Sequence, residues 1–290
     1  MLELNILIFF FLQRIQYKSL TYMNFNSNQY IRELPDLLSA TPNIKNLDLR
    51  ECRKLVKVPE NIGYHDKLES WDLRNCVELQ ILPSCFAMKS LKYLRLLGCE
   101  RVKRFPDIPQ EMENLEFLIL RDTAIRELPP SIGNLTGLKR LDIGSNFYSC
   151  QLPSSIYKLQ HLRHLILIGN VKFPKDVGIG RQAAACNSYG GFSEYCLPML
   201  NFLKKLTSCY TYSEKCLLSG SKDLNLRESI IRFNRLNVLI IGNSKFLKKI
   251  PKLPKTIREV DARNCISLNS ESLRKLILQV PLSLSLSLLK

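Results

Sequence analysis

One pattern recurs down the chain and limits what it can fold into. Four anchor positions spaced LxxLxLxx(N/C) appear at Leu20, Met23, Phe25 and Asn28, and again at Ile44, Leu47, Leu49 and Cys52. They continue at Leu68, Trp71, Leu73 and Cys76; at Leu91, Leu94, Leu96 and Cys99; and at Leu115, Leu118, Leu120 and Thr123. Two more follow, at Leu138, Leu141, Ile143 and Asn146 and at Leu162, Leu165, Leu167 and Asn170. Successive starts lie 23 or 24 residues apart, so seven units share one register.

A unit this short cannot bury its own apolar side and must stack on its neighbours. The period lies within the range of leucine-rich repeats. In each unit the LxL segment predicts a short strand whose two leucines point to one side, into the core. The fold class expected is therefore an α/β leucine-rich repeat solenoid. Such a horseshoe has a parallel β-sheet on its concave face and short helical or 3-10 turns on its convex face. After each strand the chain must turn, and the side chain at the Asn/Cys/Thr position is placed to bond backbone groups left unpaired there. Asn28, Cys52, Cys76, Cys99, Thr123, Asn146, Asn170 and, further on, Cys265 form this structural ladder. Ladder cysteines have side chains that run side by side rather than toward each other, so free thiols are expected.

The other half of each unit is regular too. The segments 128–138 and 152–162 superpose, with Pro and Ser opening a turn that Ile and Leu anchor. Val58-Pro59, Leu82-Pro83 and Phe105-Pro106 mark the same place earlier, where the sequence suggests that no ladder bond is needed. Register is lost after Val171. It returns at Leu236, Leu239, Ile241 and Ser244, and then at Ile257, Val260, Ala262, Cys265 and Leu268. Counting a weak unit near Leu203 and Leu206, about ten units are expected in one solenoid. The organisation expected is an atypical segment over 1–19, regular repeats over 20–175, an irregular loop or degenerate repeat over 176–225, C-terminal repeats over 226–275, and a low-complexity tail over 276–290. Neither end reads as a polar cap. The tail alternates Leu and Ser from Leu282 to Leu288, which suits a strand and equally a translated dinucleotide tract, so the chain reads as a fragment of a longer product.

Composition narrows function more than fold. The apolar run Ile6 to Leu12 is seven residues, against roughly 20 for a membrane-spanning helix. Its flanks, Glu3 before and Gln13-Arg14 after, do not fit a signal peptide. Ten cysteines in 290 residues, none in a CxxC pair, fit a reducing compartment better than a disulfide scaffold or a zinc knuckle. The net charge of +16 permits association with acidic surfaces without choosing among them.

The units resemble a known family, the leucine-rich repeat region of plant intracellular immune receptors of the Toll-type (TIR), nucleotide-binding class. The resemblance rests on Leu47-Asp-Leu-Arg-Glu-Cys52, on the segment from Asp122 to Ile132, and on the closing segment from Ile250 to Cys265. It covers roughly residues 18–275. It implies a repeat domain that recognises a pathogen effector or a monitored host protein and restrains the receptor by packing on its NB-ARC and TIR parts, in the cytoplasm with the nucleus left open. The chain has no GxxxxGK(S/T) phosphate loop, and nothing before Leu20 is long enough for a TIR domain. The expected role is therefore non-enzymatic protein binding in defense, with no cofactor, metal or small-molecule substrate. The alternatives are a stand-alone adaptor or truncated fragment that binds related receptors, and an enzyme subunit whose specificity the repeats set.

Residues flanking the core leucines should face the concave side. The first half of that face is charged, with Asp48/Arg50 and Asp72/Arg74 repeating in step, and Arg50, Arg74, Arg95 and Arg121 would offer a basic ridge to an acidic partner. An apolar stretch of Tyr93, Leu97, Phe117, Ile119, Ile166 and Ile168 would be the partner contact; if not, the loop after Val171 folds over it or the residues merely fill a tightly curved sheet. Specific nucleic acid binding is not expected, because aromatics are not interleaved with the basic residues. Gly178-Ile-Gly-Arg-Gln-Ala183 fits a loose GxGxxA form by chance, lacking strand-turn-helix context. His161 and His164 read as surface residues at the corner entering a strand, and no nucleophile, base and orienting acid can be assembled.

Overall fold

A computed structural model describes residues 16–34, 36–174, 228–242, 247–263, 265–272, 274 and 286–287. The chain divides into two compact units, Met1–Pro174 with Gly220–Lys290, and Lys175–Ser219. The second lies outside the described residues, as do the GxGxxA segment, Leu203 and Leu206.

The first unit is a parallel-strand solenoid. Its ten strands form one sheet in chain order: β1 (Tyr22–Asn24), β2 (Asn46–Asp48), β3 (Ser70–Asp72), β4 (Tyr93–Arg95), β5 (Phe117–Ile119), β6 (Arg140–Gln151), β7 (His164–Lys172), β8 (Val238–Ile240), β9 (Glu259–Asp261) and β10 (Leu286–Ser287). The register joins equivalent positions: Met23, Leu47, Trp71, Leu94, Leu118, Leu141, Leu165, Leu239, Val260 and Leu286 each lie beside the next. From Leu47 to Val260 this row is fully buried. Each such side chain contributes roughly 1.5–3 kcal/mol by leaving water. Trp71 takes the leucine position in β3, with the edge of an aromatic cluster, Trp71–Phe86–Phe105, behind it at centroid distances of 5.9 and 5.7 Å.

β7 pairs directly with β8. The last strand comes from the tail, where Leu286 and Ser287 pair with Val260 and Asp261.

Each strand is short because the chain turns sharply after it. The residue before the ladder position takes a left-handed backbone in the first five units: Ser27 (φ 61°), Glu51 (56°), Asn75 (61°), Gly98 (74°) and Asp122 (57°). The left-handed region costs most residues energy, and a packed turn must hold it in place. In the sixth unit the pattern changes. Gly144 has φ 113°, and β6 and β7 run on together through Gly144–Ile168, Ser145–Gly169 and, past an irregularity, Cys150–Val171.

On the other side, 3-10 turns at Glu60–Tyr64, Pro130–Asn134 and Ser154–Lys158 each begin after a proline. The carbonyls of Pro59, Pro129 and Pro153 accept the N–H groups of Ile62, Ile132 and Ile156, whose side chains are buried. A fourth turn, Glu228–Arg232, buries Ile230 likewise. The prolines lie at the end of a second, shorter ladder. Parallel bridges link Glu33 to Lys57, Lys57 to Ile81, and Glu127 to Gln151, and Val58 N–H donates to Ile81 O at 3.2 Å. Pro59, Pro83, Pro129 and Pro153 fall just past this second ladder and Pro106 just before its bridge of Asp107 with Cys85, where a missing N–H removes no bond.

Candidate protein-binding face

The ladder residues act on backbone groups. The Cys52, Cys76, Cys99 and Cys265 thiols donate to the carbonyls of Phe25, Leu49, Leu73 and Ile241 in the preceding repeat, at 3.0, 3.1, 3.0 and 3.2 Å. Thr123 Oγ1 donates to Leu120 O of its own repeat at 2.8 Å, and Asn28 Oδ1 accepts from the N–H groups of Tyr30 and Ile31. The side chains of Asn146 and Asn170 lie outside the described residues. All these cysteines are free thiols. Burial pushes Cys52 up to about 12, and interaction with Cys99 together with burial pushes Cys76 higher still. A protonated thiol is a donor and a poor nucleophile.

On the opposite side of the strands the charged columns form pairs of repeated geometry. Asp48 Oδ1 accepts from the Arg50 backbone N–H (3.1 Å) and from Arg50 Nε (2.9 Å), while Oδ2 accepts from Nη2 (2.7 Å). Asp72 with Arg74 and Asp261 with Arg263 repeat these contacts within about 0.1 Å. The carboxylate therefore fixes the strand exit and holds the guanidinium side-on. Burial pushes Asp48 up, but the bonds and charge of Arg50 outweigh it and hold the carboxyl below its ordinary range. Arg95 lies 3.8 Å from Asp72 and stacks over Tyr93 at 5.0 Å; burial lowers its basicity. Arg121 approaches Asp122 at 3.6 Å. The four arginines of the expected ridge are thus each ion-paired rather than free.

The apolar residues separate into two groups. Tyr93 and Phe117 stack with centroids 5.1 Å apart and planes 26° apart, and with Leu97 and Ile119 they are half-buried on adjoining strands and turns. Ile166 and Ile168 do not join this patch. They are 1% and 5% exposed, in the stretch of β6 and β7 where Arg140, Asp142 and Ser145 are buried too. They present no surface, and the expectation that they do is corrected.

Sequence reasoning missed the centre of that stretch. Arg140 Nε and Nη2 donate to Asp142 at 2.9 and 3.0 Å, and the two side chains are 3% and 5% exposed. Its Nη1 has no protein partner, nor has Nδ1 of His164 in the adjoining strand. His164 is half-buried as the first residue of β7: burial, with Arg140 and Arg163 adding to it, lowers its pKa to about 4. The available signal was Gly144, which stands where Arg50 and Arg74 stand in earlier repeats. Among the described residues no group of His, Cys, Asp and Glu could hold a metal ion, and no helix is long and apolar enough to cross a membrane.

Comparison with known proteins agrees with the resemblance seen in the repeats. Residues 86–187 match the family described as disease resistance protein RPS4B-like, leucine-rich repeats. Over 240 residues, 83% of the chain, it is 29% identical to disease resistance protein RPS4B of Arabidopsis thaliana, covering 19% of that protein. Over 116 residues, 40% of the chain, it is 42% identical to protein SUPPRESSOR OF npr1-1, CONSTITUTIVE 1 of Arabidopsis thaliana, covering 8% of that protein. Disease resistance protein RPP2A of the same plant is 40% identical over 42% of the chain and 9% of its own length. The chain therefore spans less than a fifth of the length of these relatives. Among solved structures, the leucine-rich repeat domain of the type III effector XopL aligns with 89% of the chain and 72% of its own, at 17% identity and TM-score 0.46. The chain is thus similar to the leucine-rich repeat region of plant disease resistance proteins.

Proposed function

We propose that this chain is a non-enzymatic protein-binding module. It serves as the effector-sensing and autoinhibitory part of an intracellular plant immune receptor, working in the cytoplasm or nucleus. Its partner would be a pathogen effector, a monitored host protein, or the NB-ARC and TIR parts of a receptor. The observation that carries the reading is the patch of Tyr93, Leu97, Phe117 and Ile119, half-exposed on a rigid sheet whose backbone groups are already paired. Aromatic and aliphatic side chains held in this way supply contact area at little entropic cost. The similarity to disease resistance proteins supports the biological setting.

The test is co-precipitation from leaf cells with the TIR and nucleotide-binding part of an RPS4B-like receptor. The wild-type chain should associate, and Leu97→Asp with Ile119→Asp should not, at an unchanged melting temperature. Equal association of the double variant would contradict the reading.

A further inference from the structure

The Asp–Arg pairs of repeats two and three are neutral by count, yet they do not present a neutral surface. The carboxylates of Asp48 and Asp72 are each 12% exposed, whereas the side chains of Arg50 and Arg74 are 40% and 33% exposed. Each guanidinium gives Nε and one Nη2 hydrogen to its own carboxylate, side-on. An arginine has five N–H donors, so the Nη1 edge remains. Among the described residues Nη1 of Arg50 and of Arg74 takes no protein partner, and neither is buried. Asp48 and Asp72 are register partners on adjoining strands, which stand about 4.8 Å apart. The aspartates thus turn two guanidinium edges outward in step.

We propose that this surface is a docking site for an acidic segment of a partner protein. Two carboxylates of that segment take the Nη1 edges of Arg50 and Arg74 end-on. Charge complementarity argues for this occupant: the anionic half of each pair is turned inward and bound, so the face seen by a partner is cationic although the pairs carry no net charge. The fixed aspartates also set the arginine rotamers before binding, which lowers the entropy lost on association. The inference rests on the protein-binding reading of the same face and adds the partner's chemistry.

The test uses the full chain and three fluorescent probes in physiological salt: a short peptide containing Glu-Leu-Glu, the same peptide with Gln-Leu-Gln, and a single-stranded oligouridylate. The informative variant is Asp48→Asn, Arg50→Gln, Asp72→Asn and Arg74→Gln together. It leaves the net charge unchanged and retains the strand-exit bond, because Asn accepts the same backbone N–H; a thermal melt confirms that it folds. Binding of the Glu peptide, with a loss of about tenfold or more for the Gln peptide and a similar loss in the variant, is the expected result. Absent binding of the Glu peptide overturns the proposal. So does equal binding to wild type and variant, which would mean that only the overall +16 charge attracts it. Oligouridylate binding as tightly, and with the same loss in the variant, overturns it in favour of a general polyanion site. None of these outcomes touches the co-precipitation test, which fails or succeeds through Leu97 and Ile119.

Discussion

In repeats two and three the strand carboxylate takes its arginine from two residues downstream, whereas in repeat six Asp142 takes Arg140 from two residues upstream, because Gly144 stands at the downstream place. The chemistry of the contact is the same and its setting is opposite. Arg50 and Arg74 keep an edge in water, while Arg140 is buried with one nitrogen unpartnered. A half-exposed pair is screened and contributes little to folding, which leaves it available for binding. A buried pair is costly to leave half-made. Position along the solenoid thus separates a surface that can recognise from one that is committed to the fold.

The largest effect should come from breaking the buried pair. Arg140→Ala, which leaves Asp142 buried without its cation, should lower stability in urea unfolding by about 3–5 kcal/mol. Arg140→Leu with Asp142→Leu should recover most of that loss. A single-variant cost no larger than that of Arg50→Ala would erase the distinction between the two regions.

Proton linkage offers a second way to sharpen it. His164 titrates near 4 when folded and near 6.5 when unfolded, so the unfolded chain binds the extra proton between these values. Its contribution is fully present above about pH 6.5, is lost as pH falls toward 4, and amounts to no more than about 3 kcal/mol. His65, lowered by burial, acts with the same sign. Stability measured against pH should therefore decline across this window, and His164→Gln should flatten the decline without removing it. Arg140→Gln, which removes one of the charges that depress His164, should narrow the window.

Gly144→Ala should cost about 2 kcal/mol, since φ is 113° there and an added Cβ would lie 2.0 Å from Ile168 O. The smallest effect is expected in the exposed region, where Arg50→Ala or Arg74→Ala should cost about 1 kcal/mol or less in the same unfolding assay. A larger value would mean that the forks hold the turns together more than they serve the surface.

The parts of this account visible in the sequence are those set by local pattern. The LxL register and a turn at Cys52, Cys76 and Cys99 follow from spacing, and so does the placement of Tyr93, Phe117 and Ile119 on one face, because strand alternation leaves no choice. The inward tilt of Asp48 and Asp72 was not visible, since alternation assigns a face and not an exposure. Nor was the burial of Ile166, Ile168 and Arg140, since alternation assigns these residues the same face as Tyr93, Phe117 and Ile119, which are only half-buried. The direct pairing of β7 with β8, and the recruitment of Leu286 to the sheet, are long-range choices that no window of sequence contains.

The most direct measurement places a photo-crosslinking residue at Leu97 or Ile119 on the candidate face, and at Lys67 or Gln160 just past the 3-10 turns, in chains co-expressed with the TIR and nucleotide-binding part of an RPS4B-like receptor. Crosslinks from 97 and 119, and none from 67 and 160, are the predicted result. Crosslinks from 67 or 160 alone would contradict the assignment of the binding face to the open side of the sheet.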